Sequence, residues 1–172
     1  MRDALAELPI PPQLLSALLF LVAALMAPHA LNLSPAILGF FYTACAWRLL
    51  AQRHAILLPG KWVLLLLMLF ALALVIFTTG LYDGRLAGTA LLIVMLGLKL
   101  LELRARRDIH VTVFLGYFLV LTQFLYNQSL WLAAYLFLGV LALNVIQVGL
   151  NRVHVELRGQ LRKALGHRSL QL

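Results

Sequence analysis

Apolar residues in this chain come in long blocks broken by short polar stretches. Between Pro9 and Trp47 there is no charge, but Pro28, Asn32, Ser34 and Pro35 divide that run, because proline and small polar residues favour turns. Two helices are expected there, at about 14–31 and 35–52. Trp62 to Gly80 is uncharged and, at about 1.5 Å per residue, long enough to cross a hydrocarbon core of roughly 30 Å. After TTGLYDGR a fourth span runs from Leu86 to about Leu103, a fifth from about Ile109 to Tyr126, and a sixth, beyond YNQS, from Leu130 to Leu150. Trp62 and Trp131 stand at span starts, where interfacial anchors belong.

Composition agrees with a bilayer as the solvent. Of 172 residues 63% are hydrophobic and 12% charged, against roughly 45 to 50% apolar in soluble domains. The sequence therefore predicts an all-α polytopic bundle of six transmembrane helices: a short cytoplasmic segment 1–13, the membrane domain 14–150 and a basic amphipathic cytoplasmic segment 151–172. Within that last segment Leu150, Val153, Leu157, Leu161 and Leu165 share one helical side, as in a helix lying on the anionic inner leaflet or continuing span six.

Orientation follows from Lys and Arg. Placing the amino terminus inside puts thirteen of the fourteen Lys and Arg residues on the cytoplasmic side, with Arg85 alone outside. Both termini are then cytoplasmic, held there by Arg104, Arg106 and Arg107 in one connection and Arg158, Arg162 and Lys163 in the tail. The net charge of +8 serves topology and attraction to anionic lipid; basic loops without stacking aromatics make a poor nucleic-acid footprint, and no nucleic-acid partner is expected.

LGLKLLELRARRD, residues 96–108, places Lys99 and Glu102 inside the last turns of span four. A charge costs on the order of 2.5 to 3.5 kcal/mol at the centre of such a helix and less near its end, so both need partners or water. Glu102 lies three residues after Lys99 and four before Arg106, both favourable spacings, and Arg48 reaches a comparable depth in span two. An ionic cluster of Arg48, Lys99, Glu102 and Arg106 at the membrane edge is one reading; the plainer one is that Arg48 and Lys99 snorkel to the headgroups. Thr112, Gly116, Gln123 and Asn127 share a face of span five, and Asn144, Gln147 and Asn151 a face of span six. Interhelical hydrogen bonds are their expected role, with a solute path as the rarer use.

Catalytic signals are missing. Cys45 sits mid-span without an apparent base, and the histidines show no metal-ligand spacing, so no catalytic, cofactor or metal residue is assigned and no cofactor is expected. KLLELRARRD (99–108) followed by FLGYFLVLTQFLYNQSL (114–130) resembles the amino-terminal membrane domain of bacterial TgpA-type transglutaminase-like membrane proteins, most sharply from about Leu91 to Leu138. That resemblance implies a multi-pass anchor in the bacterial inner membrane. It further implies a linked or associated extracytoplasmic transglutaminase-fold domain with a Cys-His-Asp triad, none of which maps onto this chain. The chain itself is then noncatalytic and anchors, positions or regulates a cysteine enzyme. A small transporter or lipid-handling protein, with Glu102 and the polar faces lining a path, is the alternative.

Overall fold

A computed structural model describes residues 11–53, 58–80 and 83–168; of these, the side chains of 106, 150, 151 and 153–168 are outside the description. Six α-helices make up the described chain, with no strand among those residues: α1 (Pro12–Met26), α2 (Pro35–Ala51), α3 (Lys61–Thr79), α4 (Gly84–Glu102), α5 (Arg106–Gln123) and α6 (Leu130–Arg168). A single 3-10 turn, Ala27–Leu31, extends α1.

Each boundary has a local cause. Proline occupies the first turn of α1 and α2, where its missing N–H costs nothing, and the Ser34 hydroxyl accepts from Ala36 N at 3.4 Å. Asp83 caps α4, its Oδ1 accepting from the backbone N–H groups of Arg85 (3.1 Å) and Leu86 (3.3 Å). At Gly80 α3 stops with φ 63° and ψ 175°, a conformation essentially reserved for glycine.

Helices α1 and α4 form the centre. Leu15, Leu18, Leu19, Val22, Leu25 and Met26 of α1 and Ile93, Val94, Leu96, Leu100 and Leu101 of α4 are buried. Helix α4 packs on α2, α3 and α5, while α1 packs on α2, α5 and α6. Close approach requires small residues at the contacts. A Cβ added to Gly97 of α4 would meet Phe41 Cδ2 of α2 at 3.5 Å, and one added to Gly139 of α6 would collide with the Leu25 side chain of α1.

Helix α3 buries only Ala71 and Val75, and leaves Leu66 67% and Phe77 88% exposed. Such a helix has no stable place in water; its outer surface matches lipid. Four stretches are long and apolar enough to cross a membrane: Pro12–Leu31, Lys61–Thr79, Gly84–Glu102 and Leu130–Gly149. The two other expected spans fall short by that measure. Pro35–Ala51 is apolar but shorter, and α5 opens on Arg106, Arg107 and Asp108, which lower its hydropathy. Of the two courses expected for the tail, the backbone takes the continuation of span six: α6 runs as one 39-residue helix to Arg168.

Candidate functional site: the charged edge of the bundle

The turn between α4 and α5 has only three residues, Leu103, Arg104 and Ala105, and polar side chains converge on it. Asp108 is the hub. Its Oδ2 accepts from the backbone N–H groups of Ala105 (3.0 Å) and Arg104 (3.3 Å), and its Oδ1 from Lys99 Nζ at 3.1 Å. The bond to Ala105 is half of a capping box: an acidic side chain at the third helical position returns to the N–H of the residue capping α5, and alanine has no oxygen to give in exchange. A carboxylate there also faces the positive end of the helix dipole.

Lys99 bonds two carboxylates, Glu102 Oε2 at 3.0 Å as well as Asp108, so the lysine at the end of α4 ties its own helix to α5. The Glu102 partner is 56% exposed and the Asp108 partner 13%, which makes Asp108 the stronger link by desolvation. Burial alone would push the Asp108 carboxyl up. The N–H donors of Ala105 and Arg104 and the Lys99 ammonium outweigh it and hold the group below the usual aspartate range.

Arg48 does something different from what its spacing suggests. Although 94% buried, with 6% of its surface exposed, it bonds neither Glu102 nor Lys99; Nη2 donates to Leu103 O at 2.9 Å. A cation thereby satisfies a carbonyl that follows the end of α4, at the negative pole of that helix. Arg104 reaches the opposite way and donates from Nη2 to Pro59 O at 2.9 Å, fixing the segment that precedes α3. Four helix ends are thus pinned around one short turn. The fourth member of the expected cluster, Arg106, has its side chain outside the described residues, as have the tail residues Arg158, Arg162 and Lys163. Arg107 is exposed, with Nε 4.0 Å from Asp108 Oδ1.

At the other end of the bundle a second polar set joins α1, α4 and α5. Buried His29 donates from Nε2 to Leu119 O at 3.1 Å, and Gln123 Nε2 makes a long 3.5 Å contact with Pro28 O. Tyr126 packs edge-on to the His29 ring, donates to Thr89 Oγ1 at 3.1 Å, and lies beneath the Arg85 guanidinium at 5.0 Å. Of the remaining polar positions, Asn144 accepts from Tyr117 OH at 3.1 Å across α5 and α6. Thr112 bonds within its own helix to Asp108 O, Asn127 accepts from Ser129 N, and Gln147 has no hydrogen bond among the described residues. Cys45 is buried and free.

Asp108, His29 and Tyr126 were given no role from the sequence. Only Asp108 carried a usable signal, an acid in the first turn of a helix.

Over 143 residues the chain is 36% identical to a protein-glutamine gamma-glutamyltransferase of Pseudomonas aeruginosa. The match covers 83% of this chain and 21% of that relative, so the chain spans about a fifth of its length. No solved structure matches. The catalytic part of such relatives lies outside the region matched here. Residues 17–171 match the family described as the TgpA N-terminal domain, and the chain belongs to that family.

Proposed function

We propose that this chain is a six-pass domain of the bacterial inner membrane, with both termini cytoplasmic, that anchors and positions a transglutaminase-like enzyme acting on the outer side. The observation behind the topology is the uneven placement of cations. Arg48, Lys99, Arg104 and Arg107 gather at one end of the bundle, at or beside the ends of α2 and α4 and the start of α5, whereas Arg85 is at the other. Cationic residues near span ends are kept on the cytoplasmic face. Helix α2, apolar but short, and α5, with charges in its first turn, cross beside the four more apolar stretches, and their polar ends are served by the Asp108 hub and the His29 set. The polar face of α5 and α6 works in packing: the Tyr117–Asn144 bond joins the two helices. Anchoring rests on the family and on the named relative, a transferase several times longer than the stretch matched.

Single cysteines introduced into a Cys45→Ser background test the topology. Ser129→Cys reacts with a membrane-impermeant maleimide in cells whose outer membrane is permeable, and Arg107→Cys reacts only after lysis; the reverse pattern sinks the reading. For the anchoring role, deleting the corresponding region from the Pseudomonas aeruginosa relative moves its transferase from the membrane pellet to the soluble fraction. Retention in the pellet would refute that role.

A further inference from the structure

Beside the Asp108 hub, facing the start of α1, is a cavity of about 380 Å³ with an unusual donor balance. Its polar lining is Arg48, Gln52 and Arg104, and its apolar lining includes Leu15, Leu58 and Leu103. The Arg48 Nε and the Gln52 Nε2 are buried without a hydrogen-bond partner among the described residues. Arg48 is itself 94% buried, being 6% exposed, and Arg104 lines the same cavity. Among the described residues no carboxylate lines the cavity, and Glu102 and Asp108, next to its Leu103 and Arg104, are both engaged by Lys99.

Two like charges and unfilled N–H groups against an apolar wall are costly as they stand. A buried donor left unpaired loses stability comparable to a hydrogen bond, and paired guanidinium groups repel. One species relieves all of this at once: an anion with several acceptor oxygens, such as a phosphate, for which guanidinium is the matched partner. The setting narrows the choice. Arg48 is in the last turn of α2, and Leu15, Leu58 and Leu103 form an apolar wall beside the charged groups. A ligand with a phosphate and an attached hydrocarbon chain fits both halves.

We propose that this cavity binds the phosphate of a lipid headgroup, the acyl part lying along Leu15 and Leu58. The inference rests on the reading above that this end of the bundle meets the membrane edge. Free phosphate shares the headgroup's chemistry, so the test has an arm for each.

The full 172-residue chain in zwitterionic detergent is titrated with phosphatidylglycerol, phosphatidylcholine or inorganic phosphate, and bound lipid is counted by native mass spectrometry. One phosphatidylglycerol is expected to survive at concentrations that leave phosphatidylcholine unbound, and millimolar phosphate does not displace it. Arg48→Gln and Arg104→Gln each weaken retention about tenfold, the loss of one charge-assisted contact, and Gln52→Leu weakens it less. Arg152→Gln, which removes an equal charge from an exposed position, leaves it unchanged. Should Arg48→Gln unfold by losing its bond to Leu103, Arg104→Gln and Gln52→Leu still decide the matter. Unchanged binding in those two variants overturns the proposal. So does an equal loss in Arg152→Gln, which means diffuse attraction, or displacement by phosphate, which means a free-anion site. Lipid retention is read in detergent and maleimide labelling in cells, so a failed topology and a failed site give different patterns.

Discussion

Asp108 and Glu102 both bond Lys99, and the difference between them is one of surroundings. Asp108→Ala removes a helix cap, the acceptor for two backbone N–H groups and the less exposed half of the ion pair. It is expected to cost about 2 kcal/mol, read as a lower midpoint of thermal unfolding in detergent. Glu102→Gln removes an exposed partner and costs less than about 1 kcal/mol in the same assay. Acidity gives a second readout. Because the Asp108 carboxyl is held below its ordinary value of about 3.9, its contribution is complete above that pH and declines as the pH falls toward the native-state value. The wild-type chain therefore loses stability in that acid range, and Asp108→Asn flattens the loss; equal acid sensitivity in the two proteins would contradict the assignment. The sequence marks Lys99 and Glu102 because charges inside an apolar run stand out. Asp108 sits among arginines beyond the run, where an acid looks like ordinary solvated surface, and only the path of the three-residue turn brings it back onto Lys99.

Helices rather than residues explain most of what was legible. Prolines, glycines and the uncharged runs mark six helices in the expected order, with ends within a few residues of their observed positions. At the far end of α6 the sequence left two courses open, a surface helix or a continuation of span six, and the backbone takes the second. Polarity rises after Leu150, but nothing in that stretch breaks a helix; there is no proline, and Gly159 and Gly166 are mild interruptions. Helix pairing is less visible, since it depends on where small residues meet. Gly139→Val is expected to push α6 from α1 and lower stability by about 1 to 3 kcal/mol, with Leu25→Ala restoring part of the loss in the double variant. Independent losses that simply add would refute the contact. At the end of α3, Gly80→Ala costs about 1 to 3 kcal/mol because an added Cβ does not tolerate that backbone conformation.

For the whole molecule the informative contrast is between its two ends. One gathers Arg48, Lys99, Arg104 and Arg107 around a tight turn; the other is sealed by His29, Gln123, Tyr126 and Arg85. Trp62 starts α3 at the first end and Trp131 starts α6 at the second, 70% and 86% exposed. In sealed vesicles of uniform orientation, with Trp47 and the other of the pair replaced by Phe, an aqueous quencher added outside is expected to reach just one of the two. A lipid-borne quencher near the headgroups reaches both. Equal access from outside would place the anchors on the same face and break the six-pass count. None of this end-to-end division needs tertiary knowledge, because charge asymmetry is written in order along the chain. The convergence of Arg48 and Arg104 does need it: 56 positions separate them, and only the bundle brings their side chains to one cavity.

Helix α6 has a mechanical consequence. Its 39 residues form a rod of about 58 Å at roughly 1.5 Å per residue, nearly twice the thickness of a hydrocarbon core of roughly 30 Å. Because no proline divides it, a tilt of about 10° in its apolar first half sweeps the far tip sideways by about 5 Å over the 28 Å or so that follow Gly149. Leverage of that kind converts a small repacking against Leu25 into a displacement that a neighbouring protein can sense.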